Sequence, residues 1–390
     1  MNTERKLVTV RKIDSIEQIT RKDGQTPKCE IAVLGGWKAM VMKDDNFKPG
    51  ELVVFAETDS VFPVEARWSF LEKCNYTIKT RKHNNMMNSF GEPIMSQGLV
   101  LKLDVLGSGN WAEGDDVTAN LGVTHAPEAE DPEDQFSNNA EFETSSKPRL
   151  KWVPGYNKLM RYQWFRKLSL PRKPDKGFPK EVSKTDEERV QNLPTIMQSD
   201  TTWTLTEKVD GTSSTFMLKR TGASLFARLF LGAKKFEFIV CTRNHPVGSN
   251  GGGVQWVMAK KYKVRETMEK LIGDNKWICL QGESAGPKIQ KNPLALKENV
   301  LYIFNFITPT GRLKSVDGKS LLEPYGINWV PILETGVNLK DKTAADLLNM
   351  ANGMSAINPE RRREGIVFRA ENPNCNLSFK AVSPIYEDSH

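Results

Sequence analysis

Up to about Val123, apolar residues fall in short runs broken by glycine and proline, the pattern of a β-rich segment. ELVVFAETDSVFP (51–63) is an apolar run that follows a turn signal at Lys48-Pro49-Gly50. In IAVLGGWKAMVMK (31–43) two short runs meet at Gly35-Gly36, a hairpin signal. SQGLVLKLDVL (96–106) reads as one further strand with Gly98 inside it. Strands this short predict a small barrel or sandwich. From about Pro179 onward, strand and helix signals alternate. FEFIVCTRN (236–244), WICLQGES (277–284), VLYIFNFI (300–307) and EGIVFRA (364–370) read as buried strands, and 257–272 and 344–351 as helices. The second half is therefore expected to be a larger α+β domain, and no internal repeat is visible.

Charge divides the chain where the pattern does. Residues 124–146 hold Glu128, Glu130, Asp131, Glu133, Asp134, Glu141 and Glu143, with no lysine or arginine. This stretch has little to bury and reads as a tether; the other reading is that it occupies a basic groove until a polyanion displaces it. The sign then reverses. Residues 147–180 carry eleven Lys or Arg and a single acid, Asp175, interleaved with Trp152, Tyr156, Tyr162, Trp164 and Phe165. Cations suit phosphates and rings suit bases, so the segment suits a nucleic-acid strand; the alternative is an amphipathic segment docked on the domain body. The division expected is 1–123, a tether at 124–146, and 147–390.

Composition narrows the class further. A chain of 390 residues is comfortable for two domains, each with its own core. Net charge of +7 favours polyanionic partners. The five cysteines (Cys29, Cys74, Cys241, Cys279 and Cys375) lack the close spacing of zinc ligands and read as reduced thiols. Four histidines leave little material for His-based metal or triad chemistry. The amino terminus is charged, and no apolar run is long enough to span a bilayer, so an intracellular protein with no membrane partner is expected.

The chemistry centres on TLTEKVDGT (204–212), where Lys208 at the end of a short strand is followed by Asp210-Gly211. An amine at such a turn can attack the α-phosphorus of a nucleotide and expel pyrophosphate. Attack needs a neutral amine, so nearby cations, a metal among them, are expected to lower its pKa. K-x-D-G alone is a weak signal, and Lys208 by itself could be a surface lysine beside a turn. Its partners follow in one order: Arg243 and Asn244 after a strand, Glu283 after the next, Phe304 within YIFNF, Glu364 before GIVFR, and Lys380 in SFKA. Glu283 and Glu364, with Asp210, can hold Mg²⁺ directly or through its waters. Arg243 and Lys380 can offset phosphate charge, and Phe304 can stack on adenine. Each has a bland alternative: Phe304 as core, Glu283 as a turn cap, Lys380 as a surface charge.

This ordered set resembles the covalent nucleotidyltransferase superfamily of DNA ligases, RNA ligases and mRNA capping enzymes. EKVDGT resembles the nucleophile motif, CTRN the next (with Thr242 where serine is usual), LQGE the third, YIFNF the aromatic one, EGIVFR the fourth and SFKAVS the last. The match is closer to ATP-dependent RNA ligases with an OB-fold domain ahead of the catalytic one. FPKEVSKTDEERVQN (178–192) looks like their lead-in, which implies Arg189 and Gln191 near the nucleotide. GESAGPKIQKN is similar to their extended third motif, and RKLVTVRKI, GGWKAMV, FKPGELVVFAETDSVFP and IMSQGLVL resemble their OB domain.

The resemblance implies an N-terminal OB-fold β-barrel and a C-terminal α+β, ATP-grasp-like nucleotidyltransferase domain. It implies adenylylation of Lys208 from ATP with Mg²⁺ or Mn²⁺, transfer of AMP to a 5′-phosphate, and sealing by a 3′-hydroxyl, with an RNA 3′-hydroxyl strand at a nick, in RNA or an RNA/DNA duplex. Thr206, Glu207, Lys208, Gly211, Arg189, Gln191, Arg243, Glu283, Phe304, Glu364 and Lys380 form the implied nucleotide site. Two departures stand out: Val382 occupies the place of a usual second lysine, and the insertion between Arg220 and Phe236 has no evident counterpart. In the OB domain Lys79, Arg81 and Lys82 are candidates for phosphate contact, and this domain is expected to aid sealing and not nucleotide attack. The default oligomeric state is a monomer. A DNA ligase, a capping guanylyltransferase and a non-catalytic RNA-binding protein are the competing readings. The first two usually carry their OB domain after the last motif.

Overall fold

The computed structural model describes residues 6–89, 91, 93–126, 153–159, 161–162, 177–193, 195–222, 234–248, 253–371 and 377–387. The acidic tether beyond residue 126, Trp152, Trp164, Phe165, Cys375 and residues 223–233 of the insertion lie outside the described residues.

The N-terminal region is built on the strand Leu52–Ala56, flanked antiparallel by Val8–Lys12 and Leu99–Lys102. Side chains of a strand alternate between faces, and here both faces are covered. Val53 and Phe55 pack with Ile13, Leu34 and Trp37, while Val54 and Ala56 pack with Val8, Val10, Trp68 and Leu121. This explains why LVVFA is apolar throughout. The hairpin Cys29–Leu34/Trp37–Met42 closes at Gly35 and Gly36, whose φ values of 56° and 92° are those of a tight turn twisted to suit a hairpin. Backbone bonds from Asp14 to Val33 (2.8 Å) and from Gln97 to Lys38 (2.7 Å) tie neighbouring short sheets together. The result is an OB-like, β-rich region.

Two expectations need correction. Residues 96–106 are not one strand: Pro93–Ser96 and Leu99–Lys102 belong to different sheets. Gly98 turns the corner between them at φ 114°, pressed against the Phe55 ring and the Ala56 carbonyl where no side chain fits. The helix expected at 257–272 is two helices, Val254–Lys261 and Val264–Leu271, broken where Lys263 takes a left-handed conformation at φ 47°. The apolar period runs across the break because Met258, Ala259, Val264 and Met268 all enter one core. Helix Ala344–Ala351 falls where the sequence places it, started by a reciprocal cap between Thr343 and Asp346.

The second region has two sheets. One runs Glu188–Arg189, Ser378–Val382, Gly365–Ala370, Thr202–Lys208, Ile332–Asn338. The other runs Phe236–Cys241, Thr212–Arg220, Trp277–Ala285, Val300–Thr308, Gly311–Arg312, with Asn328–Trp329 beside Val300–Thr308. Helices Val254–Lys261 and Val264–Leu271 cover the second sheet and Ala344–Ala351 the first. The four described cysteines are free thiols. Among the described residues, no helix is long and apolar enough to cross a membrane.

Candidate active site

The chain crosses from the first sheet to the second at Val209-Asp210-Gly211. Lys208 ends a strand in one sheet, paired with Gly365, and Thr212 opens a strand in the other, paired with Ser284. That crossing sets the site. Glu364 precedes Gly365 on one wall, and Glu283 lies opposite Ser213 on the other. The backbones approach closely: a Cβ at Gly211 would run into the Ser284 carbonyl, and one at Gly365 into the Ala381 carbonyl.

Lys208 Nζ donates to Glu364 Oε1 at 2.6 Å, with the two side chains 24% and 17% exposed. Burial pushes the lysine pKa down, but the charge and hydrogen bond of Glu364, with Glu283 and Asp210 behind it, outweigh burial and leave it above the ordinary value. The lowering expected from cations, a metal among them, is not supplied by the protein's own residues. Without nucleotide or metal, the surrounding carboxylates hold the amine as an ammonium. Burial raises the Glu283 carboxyl to about 8, opposed by Lys208 and Arg243 and reinforced by Glu364 and Asp210.

Asp210 accepts a 2.6 Å bond from Tyr386 Oη, in the short C-terminal helix Pro384–Glu387. Lys380 pairs in register with both Val367 and Arg189 and donates to Asp186 at 3.3 Å. Burial lowers the Lys380 pKa, opposed by Asp186, with Lys208 and Arg189 lowering it further. Val382, two residues on, is buried beside Gly365.

The lead-in segment runs across the mouth between the sheets. The Ser183 carbonyl accepts from Gln281 Nε2 at 2.8 Å, and the Thr185 and Ser213 hydroxyls are 3.0 Å apart. Further on, Asp186 meets Lys380, and Glu187 pairs with Arg369 at 3.5 Å. Arg369 is buried and joins the two sheets: it donates to Thr206 Oγ1 at 2.7 Å and Asn305 Oδ1 at 3.4 Å, and its guanidinium lies 5.1 Å from the Phe304 ring centre. Burial lowers its pKa to about 10, opposed by Glu187.

The residues singled out from sequence therefore fall into groups. Lys208, Asp210, Glu283 and Glu364 share one electrostatic field, joined by Arg243 through its effect on Glu283 and by Lys380 through Lys208. Phe304 is buried at the wall, under Arg369. Thr206 is bound to Arg369, while Glu207 is turned to the Ser355 hydroxyl and the Ala356 N–H. Gln191 is buried with Oε1 unpartnered, and Asn244 accepts from Lys184 at 2.8 Å. Lys79, Arg81 and Lys82 are exposed in the N-terminal region, at and just before strand Arg81–Met87.

Sequence reasoning missed Tyr386, Arg369, Glu187 and Ser355. An arginine inside the apolar run GIVFRA was a usable signal, since buried arginines are rare unless paired. Tyr386 and Ser355 carry no local signal.

A divalent cation fits this donor set. Glu364 Oε2 is buried without a partner, and Glu283 carries a carboxyl whose charge waits for positive company. Among the described residues, no three Asp, Glu, His or Cys side chains converge to ligate one ion directly.

A strand-end lysine with Glu364 on its own sheet and Glu283 on the next is an arrangement suited to nucleotidyl transfer through an amine. An RNA ligase family model matches residues 201–382, and an OB-fold domain model matches residues 7–103. Structures of Naegleria gruberi RNA ligase are similar along the whole length. The form with pyrophosphate has a TM-score of 0.70, 27% identity and coverage of 99% of both chains. A lysine-to-methionine mutant with AMP and Mn has a TM-score of 0.69 at 27% identity and 99% of both chains, and a lysine-to-alanine mutant with ATP and Mn gives the same values. No sequence among curated proteins matches significantly. The chain belongs to the RNA ligase family of the covalent nucleotidyltransferase superfamily, in the branch with an N-terminal OB-fold domain.

Proposed function

We propose that this ATP-dependent RNA ligase seals a 5′-phosphate to a 3′-hydroxyl at nicks, with RNA on the 3′-hydroxyl side, using Lys208 as its nucleophile. The carrying observation is the position of Lys208 at the crossing between two sheets, with Glu364 on one wall and Glu283 on the other. That position lets carboxylates and cations from both sheets act on one phosphate.

In the first step Lys208 Nζ gives up a proton and forms a bond to the α-phosphorus of ATP, and the bond to pyrophosphate breaks. A 5′-phosphate oxygen then attacks the same phosphorus, breaking the bond to Lys208. Finally the 3′-hydroxyl attacks the activated 5′-phosphate, and AMP leaves. Glu283, Glu364 and Asp210 would hold Mg²⁺ or Mn²⁺, partly through water. When bound, the ion would supply positive charge that offsets the phosphates. Arg243, Lys380 and Arg189 face the phosphates, and Phe304 with Thr206, Glu207, Gly211 and Gln191 shapes the base and ribose side. Asn244 and the exposed Lys79, Arg81 and Lys82 are read as nucleic-acid contacts. We read residues 1–123 as a closed OB barrel, 124–146 as a tether, and 147–390 as an ATP-grasp-like catalytic domain, acting as a monomer on RNA.

The test is incubation with Mg²⁺ and α-labelled ATP or GTP, followed by a denaturing gel, with Lys208→Ala alongside. Label from ATP alone, lost in the variant, is expected. Label from GTP would favour a capping enzyme, and no label from folded, AMP-free protein would leave a binding protein.

A further inference from the structure

The N-terminal region grips the lead-in segment at the residues next to Arg189. Arg11, on strand Val8–Lys12, donates from Nη1 to the Gln191 carbonyl at 3.0 Å and from Nη2 to Asn192 Oδ1 at 2.7 Å. Its own fork is fixed from behind, where Nε donates to Thr9 Oγ1 at 3.0 Å and Glu57 lies 3.7 Å from Nη2. Trp37, fully buried in the hairpin, points its indole N–H at the same Asn192 oxygen at 3.4 Å. The ring of Trp37 is a platform for Arg189, whose guanidinium carbon lies 5.6 Å from the ring centre. The hairpin tip completes the fit: at Gly36 an added Cβ would come within 3.1 Å of Ala344 and 3.4 Å of Gln191.

On its other side the same segment is part of the catalytic sheet. Glu188 and Arg189 pair in parallel with Phe379 and Lys380. The Arg189 charge acts on Lys380, and Lys380 also senses Lys208. One short strand thus has the N-terminal region on one flank and the cations of the active site on the other. A guanidinium has many rotamers, and ring stacking with a fixed backbone removes most of them before a phosphate arrives.

We propose that Arg11 and Trp37 are positioning residues for Arg189, so that the N-terminal region takes part in the reaction with ATP as well as in strand joining. This revises the expectation of a region that serves sealing alone, and it rests on the proposed reaction through Lys208.

The test is a double-mutant cycle on lysyl-AMP formation, using Arg11→Met, Arg189→Met and the pair, with thermal melting of each protein. Arg11→Met keeps the apolar stem and removes the fork. It is expected to raise KM for ATP or slow label transfer by about tenfold. Joining of a strand with an already adenylylated 5′ end should fall by less. The pair should be no worse than Arg189→Met alone, since Arg11 acts through Arg189. Trp37→Phe, which keeps a ring, should be milder than Trp37→Leu.

Losses that add in the pair would overturn the proposal. So would folded Arg11→Met with native label transfer, or equal losses in both reactions. The native chain is the control. If it takes no label, the reaction through Lys208 fails first; if it labels and the cycle is additive, only the positioning role fails.

Discussion

The Tyr386 hydroxyl donates to Asp210 Oδ2 at 2.6 Å across 176 residues of sequence. The C-terminal helix is thereby tied to the turn that carries the nucleophile. Its base is pinned as well: Ser383 donates its backbone N–H to the Glu364 carbonyl at 2.8 Å and its hydroxyl to Asn352 Oδ1 at 2.7 Å. Burial and the contact with Asp210 push the Tyr386 hydroxyl pKa up, so it stays a donor at neutral pH. The segment after the last motif thus helps hold Asp210 and Glu364.

Tyr386→Phe keeps the ring in its buried place and removes that donor. A hydrogen bond to a carboxylate contributes about 1.5–3 kcal/mol, so lysyl-AMP formation is expected to fall by roughly tenfold or more if the bond orients Asp210 for the cation. Titrating Mn²⁺ against the initial rate checks this. The variant should need more metal for half-maximal rate and should melt several degrees below the native chain while remaining folded.

Lys208→Arg separates charge from nucleophilicity. The guanidinium can keep the ion pair with Glu364, but it does not deprotonate to attack phosphorus. The variant should melt like the native protein and take no label from ATP. A labelled Lys208→Arg would show that the amine lies elsewhere.

Arg369 holds Glu187, Thr206 and Asn305 together in a buried space. Arg369→Met removes the charge and leaves those partners unsatisfied, at a cost of about 3–5 kcal/mol. Urea unfolding should show this loss. Arg369→Lys should recover little, because one ammonium cannot reproduce a planar fork that meets three partners.

Glu207 supplies a pH prediction. Burial raises its carboxyl pKa, opposed by the bonds from Ser355 and Ala356 and by Arg363. The folded state therefore holds the proton more tightly than the unfolded chain does. Its stabilising effect is present below the ordinary glutamate range and is lost as pH rises through the raised folded value. Glu207→Gln does not titrate. Unfolding at about pH 3 and about pH 7.5, on either side of the ordinary glutamate range, should show stability of native protein minus variant becoming smaller at the higher pH.

Much of this protein is legible in the chain itself. The hairpin turn at Gly35-Gly36 and the cap at Thr343 are local events, fixed by backbone freedom and by side chains three residues apart. The strands around Glu283 and Glu364 show as apolar runs because most of their side chains are buried, whereas the strand ending at Lys208 buries Thr204, Thr206 and Glu207 and shows no such run. The order of the motifs was enough to relate the chain to RNA ligases. What the tertiary structure decided depends on groups distant in sequence. The break at Lys263 does not interrupt the apolar period, so no pattern reveals it. The sheet change at Gly98 needs the Phe55 ring against it. The ammonium state of Lys208 follows from carboxylates that only the crossing of two sheets brings near. The grips of Arg11 on Asn192 and of Tyr386 on Asp210 leave no mark on the residues around them, because a hydrogen bond between distant segments constrains two side chains and no local pattern.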